Sequence, residues 1–372
     1  MFSSTCSTGP TRAAGPARVN RCRRPAAGEA VMFQSDTHLP HVLPPEAYHD
    51  PAQYAAEIDR LLWPAWHCVG TIAGFPPAES PRRLTLLGVP LSIAVEAGEA
   101  VVRLADQTPA GRQRLRAVPR PIAVRTGRVG QLVFVSLDPA GPSLTDHLGP
   151  ERSFLEDLFG SRWTACLGSF RELPCNWKLL VENVLENYHL EEVHAATFKH
   201  YPPPEACDHA MHPGGSSYVE VLPPTHSHLR DDGGRLARLL GAVADPAYRH
   251  VVVYPNFTAG RMGLFNWAHS VFPVAPGRAV NAYWFFHLAA SRPGPVAAAA
   301  AFGLRRWGRR FFSTLLEEDA AVLPGVQTGM AAAAQPTGGL ISAREERIFH
   351  FQRHVLEQTG AVPAAGGMTL TG

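Results

Sequence analysis

From Leu39 to about Cys166 the apolar residues fall in short runs: Arg83–Leu86, Leu91–Val95, Ala100–Leu104, Ile122–Val124 and Gln131–Leu137. Turns such as Gly88-Val89-Pro90 and Asp138-Pro139 separate them, which predicts the strands of a small β-domain. Before it, Tyr54–Trp63 reads as a helix, with Tyr54, Ile58, Leu61 and Leu62 apolar and a stop at Pro64. From about Ser169 the pattern lengthens. Trp177–Leu190 is helical by period, Val251–Tyr254 and Ala282–His287 read as strands, and Gly303–Val326 as a long helix interrupted late by Pro324. Helix, then sheet, then long helix predicts an α+β domain with a helix lying on an antiparallel sheet. There is no internal repeat.

Polar residues within these patterns carry the chemistry. Along Trp177–Leu190, Trp177, Leu180, Val181, Val184 and Tyr188 form the apolar stripe, while Glu182, Glu186 and His189 share another face. Read alone, that face is solvated surface. In the late helix, Phe312, Leu315, Leu316, Val322, Leu323 and Val326 define an apolar face with Asp319 at its centre, whereas Glu317 and Glu318 point elsewhere. A carboxylate on a buried stripe is costly unless paired or bound to a metal, so Asp319 needs an internal partner. His189 and His194 are five residues apart, and five residues of α-helix rotate by about 140°. Their imidazoles converge on one ion only across a widened turn or a helix end. Two His and one carboxylate make the facial triad that holds non-haem Fe(II), with open positions for O₂. His189, His194 and Asp319 are the expected ligands.

Composition sets the frame. With 372 residues, 45% apolar and 18% charged, the chain is long enough for two domains with buried cores. A formal charge of +2 gives no reason to expect a nucleic-acid partner. No apolar run reaches the ~18 residues of a spanning helix, and Ala297–Ala301 leads into Arg305, Arg306, Arg309 and Arg310 as an exposed basic helix start. Met1–Val31 is rich in Ser, Ala, Gly, Pro and Arg with no acid before Glu29, which reads as a transit peptide, a disordered arm, or sequence upstream of a true start at Met32. Residues 1–38 are therefore set apart from the fold. Cys6, Cys22, Cys68, Cys166, Cys175 and Cys207 show no CxxC pair, which predicts reduced thiols in a cytoplasmic protein.

The residues resemble the Rieske-type ring-hydroxylating oxygenase α subunits. Their signature of the form NWK…EN…(D/E)xYHxxxxH is matched by Asn176-Trp177-Lys178, Glu182-Asn183, Glu186, Tyr188, His189 and His194. A later EDxxxxxxxQxG pattern is matched by Glu318-Asp319, Gln327 and Gly329, and Tyr254-Pro255-Asn256 resembles a recurring family turn. The resemblance runs from about Leu39 to the C-terminus. It implies a degenerate Rieske-like β-domain over 39–165 and a helix-grip mononuclear iron domain over 166–372. It also implies Fe(II) on His189, His194 and Asp319, with Glu186, Asn183 and Tyr188 serving the site. Glu186 would bridge His189 to the Rieske centre of a neighbouring subunit, usually within a trimer. The implied reaction is hydroxylation or oxidative demethylation of a small organic substrate with O₂. Phe257, Phe265, Trp267, Trp284 and Phe286 are candidate pocket residues, though such strand positions equally fill cores.

The first domain departs from the pattern. A Rieske [2Fe–2S] cluster takes two Cys and two His, in a CxH pair followed by a CxxH pair. Between Cys68 and Cys166 there is no cysteine, and His147 is the sole histidine. Asp106–Gly111 stands where the family has its first ligand loop, with Thr108 and Ala110 in the ligand places. Arg112–Gly130 is too short for a second loop before family-like sequence resumes at Leu132–Pro139. The sequence thus predicts no [2Fe–2S] cluster in this chain. Electrons are expected in trans, from a Rieske-bearing α subunit or a ferredoxin, in a homo- or hetero-oligomer. The alternatives are a non-catalytic partner of an intact oxygenase, a helix-grip ligand-binding module, and an iron-dependent reaction whose electrons come from substrate.

Overall fold

The computed structural model describes residues 39–40, 42–105, 121–186, 189–198, 206–221, 234–243, 245, 247–291, 294–332, 340–341 and 345–360. The N-terminal arm 1–38, the loop 106–120 and Tyr188 lie outside them.

The chain enters through β1 (Leu39–Pro40) and helix α1 (Pro51–Glu57), whose N-cap Asp50 accepts from the amides of Ala52 and Gln53. The expected helix over Tyr54–Trp63 begins earlier and finishes as a π-type turn, Ile58–Leu62. The β-domain follows as two three-stranded sheets. One orders β2 (His67–Thr71), β7 (Leu132–Ser136) and β6 (Arg125–Val129) as β2-β7-β6; the other is β3 (Arg82–Leu86), β4 (Val89–Glu96) and β5 (Glu99–Leu104). The expected strand Ile122–Val124 is instead the approach to β6. Two short helices, α2 (Leu144–Leu148) and α3 (Arg152–Leu158), lead to the large sheet.

That sheet has seven antiparallel strands in the order β8-β14-β13-β12-β11-β10-β9. They are β8 (Trp163–Leu173), β9 (Ala206–His212), β10 (Gly215–Val221), β11 (Ala247–Val253), β12 (Phe257–Met262), β13 (Phe265–Ala275) and β14 (Arg278–Leu288). Between β8 and β9 come two short helices, α4 (Trp177–Glu182) and α5 (Leu190–Val193). The long helix α6 (Pro295–Ala331) lies against β8 and β14. It runs unbroken through Pro324, longer at both ends than its apolar pattern indicates. β15 (Leu340–Ile341) pairs with β1, and α7 (Glu346–Thr359) closes the chain.

The residues of the NWK signature lock these parts together. Asn176 caps α4 through the Lys178 amide at 2.9 Å, and its own amide donates to Gln327 of α6 at 2.6 Å. The Trp177 indole and the Lys178 ammonium each donate to Glu57 of α1, both at 2.7 Å. Glu182 accepts from Tyr48 at 2.6 Å and from Gln352 of α7 at 3.0 Å. All of Trp177–Glu182 is buried, so the polar face expected to meet solvent is instead paired inside the protein. Asn256, after the cis Tyr254–Pro255 bond, donates to His67 of β2 at 3.0 Å and to the Val271 carbonyl at 2.6 Å, fastening the β-domain to the large sheet.

Candidate metal centre

The expected single helix over Trp177–Leu190 stops at Asn183. His189 then caps the one-turn helix α5 at its start and His194 ends it, with φ −94° and ψ 52°. The helix end turns the two imidazoles toward each other. Their Nε2 atoms are 3.2 Å apart, and Asp319 Oδ1, reaching down from α6, lies 3.3 Å from His194 Nε2 and 3.8 Å from His189 Nε2. These three donor atoms lie within 4.8 Å of one another, and among the described residues no other trio of His, Cys, Asp or Glu converges in this way.

The outward ring nitrogens make the set chemically specific. His189 Nδ1 faces Glu186, which also accepts from the His189 amide at 3.2 Å. His194 Nδ1 faces Glu318 Oε2 at 3.1 Å. An imidazole that donates from Nδ1 keeps a lone pair on Nε2. With Nδ1 donating on both rings, two lone pairs and the Asp319 oxygen converge on one spot, an arrangement suited to holding a cation. Bonds of about 2.1 Å set at right angles put donor atoms about 3 Å apart, so the observed spacings suit one divalent metal. Asn183 Nδ2 donates to Asp319 Oδ1 at 3.1 Å and fixes that oxygen.

Glu318 is the residue the sequence pattern missed: it was expected to point away, yet it grips the end of α5. It accepts from the Ala196 amide at 2.7 Å and from Thr197 Oγ1 at 2.6 Å. Burial works to raise its carboxyl pKa, and the hydrogen bonds from Thr197, Ala196 and His194 outweigh it, leaving the carboxyl below its ordinary value. Burial likewise works against a charged His194, but the Asp319 and Glu318 carboxylates prevail and raise it. A metal competes with that proton.

A cavity of about 120 Å³ opens onto these side chains, lined by Tyr248, Met262, Trp267, Tyr283, Phe285 and Phe312 with Glu220 at its side. Of the five aromatics expected there, only Trp267 lines it. Phe257 and Phe286 are sealed in the core, Phe265 packs against Phe312, and Trp284 meets Phe170. On β14 the pocket takes Tyr283 and Phe285, the opposite parity to Trp284 and Phe286. The Tyr283 hydroxyl is held well above its ordinary pKa by burial, with the Asp319 charge adding to it.

Residues 159–361 match the family described as ring hydroxylating alpha subunit (catalytic domain). The chain belongs to that family. Its fold is that of solved Rieske oxygenases at low sequence identity. A quaternary ammonium Rieske monooxygenase, CntA, bound to an inhibitor, aligns with TM-score 0.60 and 14% identity over 86% of this chain and 95% of the other. Naphthalene 1,2-dioxygenase from Rhodococcus sp., bound to indole, gives 0.57 and 15% over 85% and 95%. Dicamba monooxygenase bound to dicamba gives 0.51 and 12% over 81% and 98%. No curated protein matches by sequence.

Proposed function

We propose that the chain is an O₂-dependent oxygenase subunit in which His189, His194 and Asp319 hold one Fe(II). The observation that carries this reading is the convergence of two imidazole Nε2 atoms and a carboxylate oxygen beneath an aromatic cavity. Bound there, the iron would supply O₂ activation beside the substrate. Glu186 and Glu318 orient the two imidazoles and keep their protons on Nδ1. Asn183 holds Asp319, and Tyr188 is a candidate for the same site by the signature alone. Tyr248, Trp267, Tyr283, Phe285 and Phe312 exclude water and press a small organic substrate toward the open side of the metal. The substrate is hydroxylated or oxidatively demethylated.

In this reading residues 39–165 form a Rieske-like scaffold without a cluster, and 166–372 the iron domain. Cys68, the lone cysteine of the described part of that scaffold, is fully buried, and burial pushes its thiol up to about 12. A Rieske cluster takes two Cys and two His, and residues 39–165 carry this one cysteine. Electrons therefore come in trans from a Rieske-bearing subunit or a ferredoxin, within an oligomer.

The test is anaerobic purification, alone and with the proteins of neighbouring genes, followed by metal analysis and electron paramagnetic resonance. Iron without a [2Fe–2S] signal in the chain alone, and a [2Fe–2S] signal of Rieske or ferredoxin type only in a co-purifying complex, is the expected result. A [2Fe–2S] signal in the chain alone would overturn the supply in trans.

A further inference from the structure

The outer half of α6 carries chemistry that the metal centre leaves unused. Arg305, Arg306, Arg309 and Arg310 are exposed, and among the described residues none of their side chains forms an ion pair. They line one concavity with Phe302 and Trp307, which are 70% and 52% exposed. Four unneutralised guanidinium groups within two helical turns repel one another, and two open aromatic rings among them leave apolar surface in water. Covering by an acidic partner relieves both, since guanidinium pairs readily with carboxylate.

Trp307 is also the outer end of a run of rings leading to the metal ligands. It stacks on Phe311 with centroids 4.7 Å apart and planes at 15°. Phe311 meets Phe198 edge-on at 5.4 Å, and Phe198 meets His194 at 5.7 Å. Three packed contacts thus join the middle of the basic ridge to an imidazole of the centre.

We propose that this ridge is the docking surface for an acidic one-electron carrier, a soluble iron–sulfur protein of ferredoxin type, and that Trp307, Phe311 and Phe198 form the packed path from it to His194. The inference rests on the reading that His189, His194 and Asp319 hold iron. The ring path is what selects an electron carrier among acidic partners. Each carrier gives up one electron and departs oxidised, and a ferric ion held by His189, His194 and Asp319 would accept that electron and become ferrous. Two such transfers and two protons accompany the insertion of one atom of O₂ into a substrate C–H bond and the release of the other as water.

The first readout is binding of an oxidised plant-type [2Fe–2S] ferredoxin to the metal-free full chain. Complementary charges make such docking steeply salt-dependent, so affinity should fall more than about tenfold between about 50 and about 500 mM salt. The Arg306→Glu/Arg310→Glu variant should lose a similar factor at low salt, Arg306→Lys/Arg310→Lys should retain binding, and Arg83→Glu on the exposed face of β3 should bind as the parent does. The second readout is anaerobic oxidation of reduced ferredoxin by the chain loaded with iron and oxidised to Fe(III), one ferredoxin per ferric ion. Phe311→Leu, half-buried beneath the ridge and outside its lining, should leave binding near the parent value and slow this step. Equal loss in Arg83→Glu, binding indifferent to the ridge, or an oligomer that dissociates when the ridge is reversed would each overturn the proposal, the last by making it an interface between copies. An unchanged transfer rate in Phe311→Leu would overturn the path. Because docking is read without metal, its failure leaves the iron assignment standing, and loss of the iron assignment leaves the docking result readable.

Discussion

Glu318 holds His194 from behind, its carboxylate 3.1 Å from Nδ1, just as Glu186 faces Nδ1 of His189. Glu318 and Asp319 are consecutive on α6, so one helix supplies both a candidate donor atom and the group that orients the His194 imidazole. Carboxylates behind metal-bound imidazoles typically contribute 10–100-fold to metal affinity, roughly as much as is expected here. Glu318→Gln should weaken Fe(II) or Co(II) binding by about that factor while leaving the stoichiometry intact. Titration of the metal-free chain measures it, and an unchanged affinity would remove Glu318 from the site.

Lys178 and Glu57 are both fully buried, and Glu57 also accepts from Trp177. Burial lowers the Lys178 pKa, opposed by the Glu57 charge. Removing one partner of such a pair strands a charge in the core. Lys178→Met should cost about 3–5 kcal/mol in urea unfolding, and Lys178→Met/Glu57→Gln distinctly less than the single change.

Gly260 on β12 faces the cavity wall so closely that an added Cβ would stand 2.7 Å from the Trp267 ring and 2.8 Å from the Arg249 carbonyl. The ring can shift but the carbonyl cannot. Gly260→Ala should therefore destabilise the fold by about 1–3 kcal/mol and quench or shift the Trp267 emission as the pocket deforms.

Burial drives His67 down to about 4, against the smaller upward pulls of the Leu62 carbonyl and Asn256. Its Nε2–H donates to Leu62 at 2.9 Å and its Nδ1 accepts from Asn256, so the folded ring is neutral. The unfolded ring takes a proton near pH 6.5, whereas the folded one waits until about 4, so acid favours unfolding. This contribution is complete above about pH 6.5 and is lost as the pH falls toward the folded value, at up to about 1.4 kcal/mol per pH unit. His67→Gln should flatten the dependence of the urea midpoint across that window, whatever it does to the midpoint at neutral pH.

Much of the centre was legible because chemistry overrides pattern there. Asp319 stands out on an apolar face, and the five-residue spacing of His189 and His194 called for a widened turn or a helix end, of which α5 provides the second. The β-domain strands and the helix-on-sheet domain were legible from periodicity. Glu318 was not, because a helical wheel shows which way a side chain leaves its helix but not that His194 rises to meet it. The wheel for Trp177–Leu190 misled for the same reason. Glu182 looks solvated until Tyr48 and Gln352, distant in sequence, are brought beside it. Of the pocket aromatics, Trp284 and Phe286 were misassigned by one residue of strand parity, which a sequence specifies only when one face is polar; β14 is buried on both.

Metal stoichiometry of the anaerobically purified chain tests the central claim most directly, with Asp319→Ala as its control. The account predicts about one iron per parent chain and a large loss in Asp319→Ala with circular dichroism unchanged. A well-folded parent chain that takes up no iron when Fe(II) is offered, despite intact His189, His194 and Asp319, would contradict it.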